Sequence, residues 1–122
     1  DSRVGQILRN ELLTLFATSG RTPAARYRLE IQLASSTSAL AISSDDTITR
    51  YNVILEARVR LVALDSTSVV YRATTRSVGS YDVQRSDYGT RIAEQATRED
   101  AARDLGRRIA TMVSAVLAQG AL

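Results

Sequence analysis

The chain has 122 residues, 44% of them hydrophobic and 24% charged, which suits a single globular domain (1–122) and excludes a disordered segment. It contains no Cys and no His, so disulfides, thiolate metal sites and a Cys nucleophile are excluded, and the commonest general base and metal ligand are missing. All 16 basic residues are Arg, and the net charge of +3 permits an anionic partner without demanding one. No apolar run approaches the roughly 20 residues that span a bilayer. No signal peptide is visible, and the chain opens at Asp1-Ser2-Arg3 beside a helix, as a mature or trimmed chain would.

Residues 3–18 place Val4, Leu8, Leu12, Leu15 and Phe16 at helical spacing, with Ile7 alongside. Ser2 is the expected N-cap and Ser19-Gly20 the stop, followed by a loop at Thr22-Pro23. Residues 26–34 alternate, with Tyr27, Leu29, Ile31 and Leu33 on one face and Arg28, Glu30 and Gln32 on the other, a half-buried strand. Residues 35–48, rich in Ser, Thr and Asp, read as a loop with room for a short strand. Their apolar centre, Leu40, Ala41 and Ile42, suits solvent poorly and is a candidate partner contact.

Residues 50–64 give the strongest strand signal: Val53, Leu55, Ala57, Val59 and Leu61 face one way, and Glu56, Arg58 and Arg60 the other. A turn at Asp65-Ser66-Thr67 leads to a third strand over 69–83, where Tyr71 and Ala73 oppose Arg72, Thr74 and Arg76. Directly opposed residues in an antiparallel pair share a face. Leu61 must therefore lie level with Tyr71, Arg60 with Arg72, Arg58 with Thr74, and Glu56 with Arg76. This requires an odd loop, for instance three residues at 65–67. A one-residue slip would bury Arg72 and Arg76.

Residues 87–119 form a second helix with Asp87 as its expected N-cap and Gly120 as its stop. Ile92, Ala96, Ala102, Leu105, Ile109, Met112, Val113 and Val116 draw its apolar stripe, and Glu94–Arg98, Glu99–Arg103 and Asp104–Arg108 are acid-before-base pairs on its polar face. At about 1.5 Å per residue it is near 48 Å long, so one end should overhang the sheet. The whole is an α+β fold, a two-layer sandwich in which two helices pack on one face of an antiparallel sheet of three to four strands.

Catalytic chemistry is poorly supported. Asp45-Asp46 reads as turn chemistry and Glu99-Asp100 as a solvated helix face; no phosphate-cradling Gly loop and no nucleophile elbow is present. The chain is expected to bind rather than catalyse, without metal or cofactor. Arg58, Arg60, Arg72 and Arg76 gather on one strand face, where like charges repel unless acids or an anionic ligand intervene. Either Glu30 and Glu56 neutralise the patch across strands, or it takes a phosphate- or carboxylate-bearing ligand. Nucleic acid is disfavoured: aromatics are only 5%, the strand faces offer no stacking platform, and charge is spread evenly along the chain.

Several segments in order carry a family resemblance. These are the opening Arg3-Val4-Gly5-Gln6-Ile7-Leu8-Arg9-Asn10-Glu11-Leu12, then Thr49-Arg50-Tyr51-Asn52-Val53 at the start of a long strand. Arg76-Ser77-Val78 with Tyr81 follows, and then Ala93-Glu94-Gln95 leading to Arg107-Arg108-Ile109. From about residue 3 to residue 110 the chain resembles LptE, the lipopolysaccharide-assembly lipoproteins of the Gram-negative outer membrane. The resemblance implies a sheet with two helices packed on it. It also implies a lipid-anchored protein on the periplasmic side of the outer membrane that plugs the β-barrel translocon LptD, helps it assemble and binds lipopolysaccharide. The anchoring Cys, with a first short strand, would lie upstream of Asp1.

A basic residue before the Glu-Gln of the second helix has its counterpart in Arg91. The loop before the Tyr-bearing strand, basic in some members, is here Ile42-Ser43-Ser44-Asp45-Asp46, and the nearest Arg is Arg50. Arg91 and Arg50 are thus the carried-over candidates for lipopolysaccharide phosphate, and the strand-face patch of Arg58, Arg60, Arg72 and Arg76 is a further candidate, read from the strands and not from the resemblance. Two other classes stay open: a periplasmic adaptor that binds only protein, whose dry interface salt would spare, and a small carboxylate hydrolase, which would need a buried acid pair.

Overall fold

A computed structural model describes residues 2–19, 27–42, 48–83 and 85–118, with side chains over 3–14, 27–39, 50–83 and 85–118. The order is α1 (Ser2–Ser19), β1 (Tyr27–Ile42), β2 (Ile48–Ala63), β3 (Val69–Asp82) and α2 (Asp87–Ala118). The strands form one antiparallel meander, β1-β2-β3. Strand β2 is central because its alternation is the cleanest: Val53, Leu55, Ala57, Val59 and Leu61 are all essentially inaccessible. Burial of each larger side chain contributes about 1.5–3 kcal/mol over an exposed position.

The β2–β3 register is the one the charge alternation requires, with Leu61 level with Tyr71, Arg60 with Arg72, Arg58 with Thr74 and Glu56 with Arg76. The connection itself differs. It spans Leu64–Ser68, closed by Thr67 N–H to the Ala63 carbonyl at 2.8 Å and Ala63 N–H to the Ser68 carbonyl at 2.9 Å. Thr67 takes a left-handed φ of 56°, and a register shift between Leu61 and Val62 leaves Val70 as a bulge. The bulge preserves the facing of the strands although the turn is longer.

The loop expected over 35–48 is instead largely strand. Strand β1 continues through Ser35-Ser36-Thr37-Ser38 to Ile42, paired with β2 in even register to Ala39 and with register shifts from there to Ile42. Its inward Ser35 and Thr37 are not apolar because Arg98 of α2 reaches them, donating to Ser35 Oγ and, at 3.0 Å, to Thr37 Oγ1.

Helix α2 crosses the inner faces of β2 and β3, and α1 rests against α2. The shared core joins Val4, Leu8 and Leu12 of α1 to the β2 row and to Ala102, Leu105, Ile109 and Val113 of α2. Arg3 pairs with Glu99 at 2.9 Å, and a Cβ on Gly106 would stand 2.9 Å from Glu11 Cγ, so the two helices run in the same direction in close contact. All three expected i,i+4 pairs form.

Two helix details depart from expectation. The N-cap is Ser86, whose Oγ accepts from Gly89 N–H at 2.9 Å, and Asp87 is the first helical residue. Ile92 and Ala96 are exposed rather than part of the stripe, because these turns meet the sheet through Thr97 and Arg98, on another side of the helix. The Ser2 side chain, Leu15, Phe16, Gly20, Thr22-Pro23, Asp45-Asp46 and Gly120 lie outside the described residues or side chains.

Candidate functional site

The outer sheet face, away from the helices, is a grid of level rows: Glu30, Arg60 and Arg72; then Gln32, Arg58 and Thr74; then Ala34, Glu56 and Arg76. Strand pairing alone places them, since each is the polar half of an alternating strand. The first two rows line an open hollow of about 690 Å³ on that face.

Within the hollow one carboxylate serves two guanidiniums. Glu30 accepts from Arg60 Nε at 3.0 Å, with a second, shorter contact from the same guanidinium, and from Arg28 at 2.9 Å. The Arg60 hydrogen bond, then that of Arg28, holds the Glu30 carboxyl below its ordinary range. Neutralisation of the patch stops there. Glu56 lies level with Arg76 but makes no ion pair among the described residues, and neither do Arg58, Arg72 and Arg76.

Arg50 sits elsewhere, at the far end of the same face. It donates through Nε to Asp82 at 2.8 Å, which raises the Arg50 pKa and lowers that of Asp82. Arg91 belongs to the helical layer. It is exposed, without an ion pair among the described residues, and lines a second hollow with Arg3, Glu94 and Arg98. The candidate arginines thus form no single constellation. Arg58, Arg60 and Arg72 share one hollow with Arg76 beside it, while Arg50 and Arg91 are apart from them and from each other.

The backbone of Leu40, Ala41 and Ile42 ends β1, with Ala41 and Ile42 paired to Arg50 and Ile48; their side chains lie outside the described ones. Sequence reasoning missed the clamp at that end. Arg98, held by Glu94 at 2.8 Å, bridges to β1 beside the stacked rings of Tyr51 and Tyr81, 5.7 Å apart. Burial, with Glu94 adding, raises the Tyr81 pKa. The available signal was the level placement of Tyr51 and Tyr81 that the hairpin register already implies. Among the described residues no three metal-ligating side chains gather, and no helix is long and apolar enough to cross a membrane.

The sequence matches the LptE lipopolysaccharide-assembly family over residues 1–113. The chain belongs to that family. Solved structures agree with an LptE-type fold. A lipoprotein candidate from Caulobacter crescentus CB15 superposes with a TM-score of 0.75 at 25% identity, over 97% of this chain and 85% of that one. Rare lipoprotein B from Shewanella oneidensis superposes with a TM-score of 0.74 at 9% identity, over 92% and 88%. A minor lipoprotein from Acinetobacter baumannii gives 0.71 at 16%, over 90% and 84%. No curated protein matches the chain. LptE membership makes this a lipopolysaccharide-assembly protein of the bacterial envelope.

Proposed function

We propose that this LptE-family domain is a non-catalytic, lipid-anchored subunit on the periplasmic side of the outer membrane. It plugs and helps assemble an LptD-like β-barrel, and it binds lipopolysaccharide. The observation that carries the reading is the family match across residues 1–113, on a fold shared with lipoproteins.

The charge geometry supports the lipid-binding part. Arg91 is exposed and meets no carboxylate among the described residues, which leaves its fork to a phosphate. Arg50 is held by Asp82 and would have to exchange that partner. The end of β1, at Leu40–Ile42, is assigned to the barrel.

The test is a pull-down of purified lipopolysaccharide on the domain at low and high salt, with Arg91→Glu and Arg50→Glu. Saturable binding that falls with salt and falls further with Arg91→Glu than with Arg50→Glu is the expected result. Binding unchanged by both substitutions would remove these residues from the site. Absence of binding under every condition, with retained capture of the barrel, would leave a purely protein-binding plug.

A further inference from the structure

The hollow on the outer sheet face holds a charge arrangement that nothing among the described residues completes. Its lining carries the guanidiniums of Arg58, Arg60 and Arg72 against the single carboxylate of Glu30, which also serves Arg28. Elsewhere in the described structure most arginines are matched: Arg3, Arg50, Arg98, Arg103, Arg107 and Arg108 each meet a carboxylate. Arg58 and Arg72 instead stand diagonally on adjacent strands with no acid between them. That diagonal separates Cα atoms by about 7–8 Å, close enough for two long side chains to converge on one group. Arg60, locked to Glu30, stands level with Arg72 and next to Arg58 on its strand, and Thr74 adds a hydroxyl level with Arg58.

We propose that the hollow between Arg58 and Arg72 is a binding site for a phosphate monoester. The lining has an excess of two positive charges. A carboxylate or a phosphodiester brings one negative charge, whereas a monoester brings about 1.5 to 2 near neutral pH, with three strong acceptor oxygens for two forks and a hydroxyl. The site lies on the opposite face of the sheet from the helical layer that carries Arg91. It rests on the functional reading above only for its lipid-borne source; a soluble phosphate monoester has the same chemistry.

The experiment measures binding of the 122-residue domain to phosphatidylcholine vesicles doped with phosphatidic acid, a monoester, or with phosphatidylglycerol, a diester. In parallel, inorganic phosphate and glucosamine 6-phosphate are titrated by calorimetry. The expected result is preference for the monoester and strengthening as pH rises through about 6, where it takes its second charge. Arg58→Gln with Arg72→Gln should weaken binding by about tenfold or more, while Arg9→Gln with Arg85→Gln, the same charge removed elsewhere, should not. Arginine-dependent binding of the soluble probes as tight as that of the vesicles identifies a soluble source and supports the site. Equal binding of monoester and diester, equal loss in the two double variants, or no monoester binding would each overturn it. Loss here with Arg91-dependent lipopolysaccharide capture intact removes this site alone; the converse removes the Arg91 assignment alone.

Discussion

Gly79 sets how closely α2 approaches the sheet. A Cβ at this position would stand 2.7 Å from Thr97 Cγ2, against an optimum of about 3.5–4.0 Å between carbons. Thr97 is not at liberty to turn away, because its Oγ1 donates to the Ala93 carbonyl at 2.8 Å. Gly79→Ala therefore forces α2 outward by about 1 Å or breaks that hydrogen bond.

Overpacking of this kind costs about 1–3 kcal/mol, and the smaller unfolded-state entropy of Ala returns about 0.4–1. The net expectation is a loss of about 1–2 kcal/mol, a fall of roughly 3–5 °C in Tm per kcal/mol for a domain of this size. Thr97→Ser deletes the offending methyl and keeps the hydroxyl. Urea denaturation of the two single variants and the double variant should then show a coupling of about 1 kcal/mol or more, with the double variant close to Thr97→Ser alone. A Gly79→Ala variant as stable as the parent, or additive effects in the double variant, would refute the steric argument.

Two further outcomes follow from the polar contacts. Ser77, the one buried polar residue among those described, donates to Asp104 at 2.7 Å, so Ser77→Ala should destabilise by about 1–2 kcal/mol at an unchanged denaturant slope. The lower end of that range is favoured because Asp104 keeps Arg108 and some solvent. Acid should also weaken the fold: Glu30, Asp82, Glu99 and Asp104 have folded pKa values below their ordinary ones, through Arg60, Arg50, Arg3 and Arg108 respectively. Their contribution is present above the ordinary carboxylate range and is lost as pH falls through the lowered values. Tm should be flat near neutrality and drop below about pH 4, with a shallower drop in Asp104→Asn.

The hairpin register was legible because alternation there is between charge and hydrocarbon, and a slip would bury arginines. The second half of β1 was not, since its inward Ser35 and Thr37 answer to Arg98, a partner 63 and 61 residues away. Local pattern cannot show a polar strand face satisfied by a distant helix. The cap of α2 was displaced by one residue because Ser86 and Asp87 are both good caps, and only the Gly89 hydrogen bond separates them. For the candidate site, strand parity placed Arg58, Arg60 and Arg72 together. It could not show which arginines the acids take: among the described residues Glu30 takes two and Glu56 none.

The pairing of α1 with α2 also orders the route to the native state. The three strands are neighbours in the chain and in the sheet, so each strand pairs with one that follows closely in the sequence. The Arg3–Glu99 contact instead closes a loop of 96 residues. During synthesis α1 emerges with its apolar stripe complete, yet the surface that covers it exists only after α2 has been made and laid on the sheet. Until then Val4, Leu8 and Leu12 face water or whatever shields a nascent chain. The meander rests on contacts between chain neighbours, whereas the helical layer depends on contacts between the two ends of the chain, whose loop is the costlier to close.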